Sequence, residues 1–312
     1  MKRGRLASLR DALLDWRDEE GDTRVLGLVR VALGLLLLWN AVRAARELAA
    51  GYFGDVFHWS VVPEALVPSR TVYVAVVAAQ LALAVLVVAG PRSRDALLGS
   101  ALLGVGVLLC DRLGYHHNRY ALFAYAAILA FTPCDRAFRL GPASGPAVGP
   151  LWAARLAQLQ VSIVYLASGG AKLVDADWRS GQVLLERFHL YGDQAVAAGV
   201  PSCLVAWAAR PQVTGPLASL AIATELFLAV GLWPRATRPF ALAWGLWFHL
   251  VIEATSRVEG FTWLTVAVYL LFVTPDVRAR VDALVRRRPF LFPFWLPAWL
   301  LTRTAHRRTQ VV

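Results

Sequence analysis

Leu, Ala, Val and Gly run almost unbroken through eight stretches of this chain, roughly 25–42, 71–90, 96–112, 119–133, 151–171, 214–233, 239–255 and 260–274. About 20 mostly apolar residues in helical form cross a bilayer, and this repetition leaves a chain of 312 residues few other ways to bury its hydrocarbon. Strict apolar–polar alternation is rare within the stretches. Helices, which close their backbone hydrogen bonds within the segment, are therefore predicted in preference to barrel strands. The expected fold is an all-α integral membrane protein, a bundle of about eight transmembrane helices. Composition agrees: 58% of residues are apolar, 17% are charged and the mean hydropathy is +0.53, whereas a soluble domain carries about a quarter charged residues.

A net charge of +11 raises the question of nucleic acid. Its distribution answers otherwise. With a cytoplasmic N-terminus, 21 of the 32 Lys and Arg residues fall on the cytoplasmic side of the span map and ten on the outer side, Arg30 lying within the first span. This is the positive-inside bias, and it predicts an integral cytoplasmic-membrane protein with both termini in the cytoplasm. The partner is then the lipid bilayer, and no nucleic acid is expected. Cys110, Cys134 and Cys203 lack the paired spacing of a disulfide framework or zinc site, so no metal is expected either.

Residues 1–24 form a cytoplasmic amphipathic N-terminus, with Leu6, Leu9, Leu13 and Trp16 on one helical stripe, and 276–312 a basic aromatic cytoplasmic tail, interrupted by Pro289, Pro293 and Pro297. The bundle occupies 25–275. GPASGPAVGP at 141–150 reads as a flexible connection between its first four spans and the rest. On the outer side, 172–213 contains an apolar run broken by Pro201 that is short for a span and reads as re-entrant or interfacial. With 44–70, which carries Tyr52, Phe53, Phe57 and Trp59, it is a candidate roof over a cavity.

Ionisable groups within spans cost about 2.5–3.5 kcal/mol on insertion scales and call for a partner or a function. Glu225 and His249 fall at similar depth when counted from the ends of their spans, which predicts that they meet near the midplane. They are either an interhelical hydrogen-bonded pair or a substrate or proton site. Gly245, His249, Glu253 and Arg257 recur every fourth residue and line one face directed into the bundle. Gln158, Ser162, Tyr165 and Lys172, with Ser168 beside them, form a second stripe. Arg30 is near enough to the cytoplasmic side to snorkel. Lys172 is either a helix-end lysine reaching the headgroups, favoured by the helix dipole, or an amine sequestered by Ser168, Gly169, Gly170 and Ala171, where desolvation favours the neutral form that a base needs.

The stretch QVSIVYLASGGAKLVDADWRSG at 160–181, followed by FHLVIEATSRVEGFTW at 248–263, resembles the horizontally transferred transmembrane (HTTM) domain, a family related to the vitamin K-dependent γ-glutamyl carboxylases. The matching residues are Gln160, Tyr165, Gly169, Lys172, Trp178 and Gly181, then Glu225, Phe248, His249 and Phe261. In the carboxylases, one lysine of a Lys-Lys pair deprotonates vitamin K hydroquinone. That pair is Ala171-Lys172 here; counting forward from Tyr165 puts Lys172 at the second, catalytic position and counting back from Trp178 puts it at the first, and the rigid spacing of a helix favours the forward count. Where the carboxylases have Asn-His-x-Tyr, this chain has His116, His117, Asn118, Arg119 and Tyr120. No external domain follows the last span, so carboxylation of a protein substrate is not expected.

The resemblance implies an outward-facing cavity that takes a quinone- or lipid-like molecule, with a quinone or hydroquinone as cofactor and Lys172 as base. Tyr165, Gln160, Trp178, His117, Asn118 and Tyr120 are the expected lining, and Arg30, Glu225, His249 and Glu253 the intramembrane polar groups. Two other classes stand beside it: a non-catalytic scaffold that assembles with a membrane or redox protein partner, and a proton-coupled transporter with Glu225 and His249 at its centre.

Overall fold

The computed structural model describes residues 18–51, 60–111, 114–142, 145–146, 148–256, 258 and 260–273. The expected amphipathic stripe at 6–16, the aromatics of 52–59, Arg257 and the basic tail lie outside the described residues. Each of the eight apolar stretches coincides with a helix: α1 (Arg24–Ala49), α2 (Arg70–Ala89), α3 (Ser93–Cys110), α4 (His117–Ala130), α5 (Trp152–Val174), α9 (Pro211–Gly231), α10 (Arg238–Ser256) and α11 (Phe261–Tyr269). A 3-10 turn, Leu270–Phe272, continues α11. Between α5 and α9, the segment read as interfacial folds into α6 (Ala176–Ser180), α7 (Gln182–Ala197) and α8 (Ser202–Ala208), with a break at Pro201. Among the described residues, α1, α2, α3 and α9 are long and apolar enough to cross a membrane. The chain is an all-α membrane-type protein.

The first four helices pack in sequence, α1 on α2, α2 on α3 and α3 on α4, and α4 returns to α1. α5 packs on α9, while α11 touches α1, α4, α5 and α10 and ties the two groups together. Leu33, Leu97, Leu129, Leu228 and Phe272 are fully buried between them. Leu102, Val230 and Phe240 stay exposed on outer faces, as suits contact with lipid. Lipid tails are as apolar as leucine, so side-chain packing and interhelical hydrogen bonds hold such helices together rather than the hydrophobic effect.

Arg30 departs from the snorkelling expectation, being 0% exposed. Its Nε donates to Cys134 O (3.1 Å), one terminal nitrogen to Val87 O and Val88 O (3.0 Å), and the other to Ala137 O (3.1 Å) and Phe138 O. All five N–H groups of the guanidinium are thereby used. The acceptors are carbonyls left over at the C-terminal end of α2, where the helix dipole is negative, and in the turn after α4. Phe138 takes a left-handed φ of 52° in that turn, a strained geometry for a non-glycine residue.

Nearby, the end of the Gly/Pro connection is ordered rather than flexible. β2 (Val148–Pro150) pairs antiparallel with β1 (Glu20–Asp22), Glu20 opposite Pro150 and Asp22 opposite Val148. Arg136 donates to Val148 O at 2.9 Å, and Glu19 forms an ion pair with Arg155 on α5. That hydrogen-bonded pairing holds the Glu19 carboxyl below the usual carboxylate range, against the smaller opposing effect of burial.

Candidate functional site

α5 and α9 run antiparallel in a fixed register. Trp233 Nε1 donates to Ser162 Oγ at 2.7 Å, Gly169 lies against Glu225 and Leu226, and Gly181 lies against the backbone of Thr214 and Gly215. Partner numbers fall along α9 as they rise along α5 and α6, as two helices of equal rise require. α9 therefore continues roughly ten residues past the end of α5 at that rise, and α6 fills the space beside it. Gly181 makes this possible with φ +82° and a backbone contact so close that any Cβ would collide with α9.

The offset brings Glu225 level with the last turn of α5. Lys172 Nζ lies 2.8 Å from Glu225 Oε1 and 2.7 Å from Oε2, and donates to Ser168 Oγ at 2.5 Å. Ser168 Oγ is in turn 3.2 Å from Oε1. Asp175 ends α5 in extended backbone and caps α6, accepting from the N–H groups of Asp177 (2.8 Å) and Trp178 (3.1 Å). The cap folds Trp178 back over Lys172, with Nζ 4.9 Å from the ring centroid, within cation–π range. The two charged side chains are 16% and 7% exposed, so the pair is enclosed but not sealed. A polar ligand atom replacing the Ser168 hydroxyl would be within hydrogen-bond reach of both charges.

One to two turns further along α5, the Tyr165 hydroxyl is 2.6 Å from His249 Nε2 on α10 and hydrogen-bonded to the Tyr269 hydroxyl on α11. His249 is 0% exposed, and its carbonyl accepts from Thr262 Oγ1 at 3.0 Å. Gly245, one turn before His249, leaves the space that the Tyr269 hydroxyl occupies. Three helices thus meet around one hydroxyl.

The expected site is divided by this geometry. Lys172 and Trp178 come together with Glu225, whereas Tyr165 belongs to the histidine cluster. Glu225 and His249 do not pair: counted from the turn that joins α9 to α10, Glu225 lies six residues before the end of α9 and His249 eleven residues after the start of α10, so they are not at one depth, and each has another partner, Lys172 and Tyr165. Gln160 is half-buried and off the stripe; Gln158 faces the core instead and donates to Leu271 O at 2.7 Å. His117 and Tyr120 are exposed at the start of α4. Asn118 lines a small cleft of about 20 Å³ with Trp39, Asn40 and Gly260, and a neighbouring cleft of about 30 Å³ opens between Arg43, Glu47, Gln80 and Arg119. Lys172, Tyr165 and Trp178 line neither. Burial, then the neighbouring His117 and Arg43, pulls His116 below the ordinary histidine range.

Among the described residues, Glu253 Oε2 and His249 Nδ1 are buried without a hydrogen-bond partner. Tyr269 was missed by sequence reasoning, although its place opposite the Gly245 stripe was a usable signal. Ser168, beside the polar stripe and within the small-residue patch around the amine, is a partner of the ion pair.

Nothing among curated proteins and nothing among solved structures matches this chain. The model of the HTTM domain matches residues 19–277, a range that holds the Arg30 cage, the Lys172–Glu225 pair and the Tyr165–His249–Tyr269 cluster alike, and the chain therefore belongs to the HTTM domain family.

Proposed function

We propose that this HTTM protein binds a quinone- or lipid-like molecule where Ser168, Lys172 and Glu225 meet beneath Trp178, and that Lys172 is the base of any chemistry done there. The carrying observation is the placement of a mutually hydrogen-bonded ion pair, partly exposed, under an indole ring at the end of an apolar bundle. Replacing such a pair with apolar residues is often neutral or stabilising, so stability alone gives little reason to keep it. The donor set suits a phenolic or quinone oxygen: an ammonium, a carboxylate and a hydroxyl within one hydrogen bond of each other, beside a ring on which another ring can stack. A bound hydroquinone would supply the acidic hydroxyl. Ser168 and Lys172 would hold that oxygen, Glu225 would take a proton from the ammonium along a 2.7 Å line so that Nζ could accept another, and Trp178 would shield the site from water.

All eight apolar helices are proposed to cross the cytoplasmic membrane, with both termini inside, residues 1–24 and 276–312 on the cytoplasmic face, and α6 to α8 on the outer side. Cys203, exposed on α8, reports on this directly: a membrane-impermeant thiol reagent should label it in intact cells, and labelling only after lysis contradicts the orientation.

One observation favours a second reading, a non-catalytic scaffold: the protein itself accepts from all three ammonium hydrogens of Lys172. Mass spectrometry of lipids co-purified with the protein separates the two. The binding reading expects a quinone or lipid species in the wild type that falls at least tenfold in Lys172→Met, while the scaffold reading expects the same lipid content in both.

A further inference from the structure

Two buried polar atoms on α10 have no hydrogen-bond partner among the described residues: His249 Nδ1 and Glu253 Oε2. They lie one turn apart on one face, where Cβ atoms are about 6 Å from each other. Helical side chains lean toward the N-terminus, so Glu253 leans over the turn that carries His249. His249 is fully buried, and its other nitrogen is committed to Tyr165 at 2.6 Å. Glu253 is half-buried, three residues before the end of α10, and so lies one turn nearer that end than the ring does. Among the described residues, the remaining titratable groups near the ring are Tyr165 from α5 and Tyr269 from α11, with Tyr125 of α4 and Glu225 of α9 within electrostatic reach of that tyrosine pair.

We propose that a single water bound between Glu253 Oε2 and His249 Nδ1 makes this pair a proton-loading site, which carries protons from the end of α10 to the buried imidazole. Two hydrogen bonds of about 2.8 Å each bridge the turn. In the neutral ring Nε2–H donates to the Tyr165 oxygen, and Nδ1 accepts from the water. Loading moves one proton: the protonated Glu253 carboxyl gives a proton to the water as the water gives one to Nδ1. The carboxyl becomes a carboxylate, the imidazole an imidazolium, and the water is unchanged. Unloading reverses the path. The site is independent of the reading of Lys172, since no residue of that cluster takes part.

The test uses the full-length protein, labelled with 15N-histidine and reconstituted in lipid bilayers, with D2O as probe. The His249 signal is assigned by its disappearance in His249→Asn. In the wild type, Nδ1 should show magnetisation transfer from water, and the ring proton should exchange for deuterium within seconds. Glu253→Gln should keep the water contact, because an amide still holds the water, but slow exchange at least tenfold. Glu253→Leu should remove both. Both readouts are taken on the His249 ring itself, so a failed ligand-binding result leaves this one readable. An Nδ1 without water contact in the wild type, or exchange as fast in Glu253→Gln as in the wild type, overturns the proposal; the Gln arm decides even where Glu253→Leu does not fold.

Discussion

Two cations of this bundle, Arg30 fully buried and Lys172 partly exposed, find their partners in opposite ways. Arg30 is enclosed by five backbone carbonyls, with all of its hydrogens used and no surface left to a ligand. Lys172 is held by another side chain, Glu225, with a serine and an indole completing the shell and part of the pair still exposed. Carbonyls cannot leave without unwinding a helix end or a turn. A carboxylate and a hydroxyl can exchange partners by rotating. The first arrangement therefore locks the end of α2 to the turn after α4, and the second leaves a charge that another molecule can reach.

Removing each cation should sharpen this contrast. The largest effect is expected for Arg30→Leu, which strands five carbonyls at once: with about 1–3 kcal/mol for each buried unsatisfied group, the loss should reach about 5 kcal/mol or more, read as failure to yield folded protein or a collapse of the thermal midpoint in detergent. Arg30→Lys, with three donors for five acceptors, should recover part of it. Lys172→Met comes next. It leaves Glu225 buried without its counter-charge, a loss of about 3–5 kcal/mol, and adding Glu225→Leu should return stability to within about 1 kcal/mol of the wild type. No second substitution of a single side chain should rescue Arg30→Leu in this way, and finding one would erase the distinction.

The histidine cluster provides a smaller effect. Gly245→Ala places a methyl against the Tyr269 hydroxyl and should cost about 1–3 kcal/mol, as overpacking does, while perturbing the tyrosine–histidine hydrogen bonds seen by NMR. The smallest belongs to Glu19 and Arg155. The Glu19 carboxyl is held below its ordinary range in the folded chain, so its contribution is present above the unfolded carboxylate range and is lost as pH falls through the lower, folded value. Glu19 is 38% exposed, which keeps the effect within the ~0.2–1 kcal/mol of a surface pair. Thermal midpoints of wild type and Glu19→Gln should differ slightly at pH 7 and converge in acid.

The helices were legible because their signal is local: each apolar stretch carries its own hydrogen bonds, and all eight appear within a few residues of where the pattern puts them. The two cations were harder for a shared reason. The acceptors of Arg30 lie 57 to 108 residues away along the chain, and nothing in the sequence announces a carbonyl as a ligand. Glu225 and His249 read as level because the span ends are blurred in the sequence, whereas α9 ends six residues after Glu225 and α10 begins eleven residues before His249; the register that brings Glu225 to Lys172 instead depends on Asp175 turning α5 into α6, a capping detail. The inward face of Gly245, His249 and Glu253 was readable from four-residue spacing, whereas Tyr269 and Ser168, as an apolar-context aromatic and a small residue, gave no charge to count. In the Gly/Pro connection, the pairing of Val148–Pro150 with Glu20–Asp22 joins segments far apart in sequence and has no local signature.

The central claim is that the Lys172–Glu225 pair serves a ligand rather than the fold, and the double variant Lys172→Met with Glu225→Leu tests it most directly. Purified in parallel with the wild type, it should match the wild-type thermal midpoint to within a few degrees yet lose the co-purified quinone- or lipid-like species by at least tenfold in mass spectrometry of the extracted lipids. A double variant that is as stable as the wild type and retains the same species in the same amount would contradict the account.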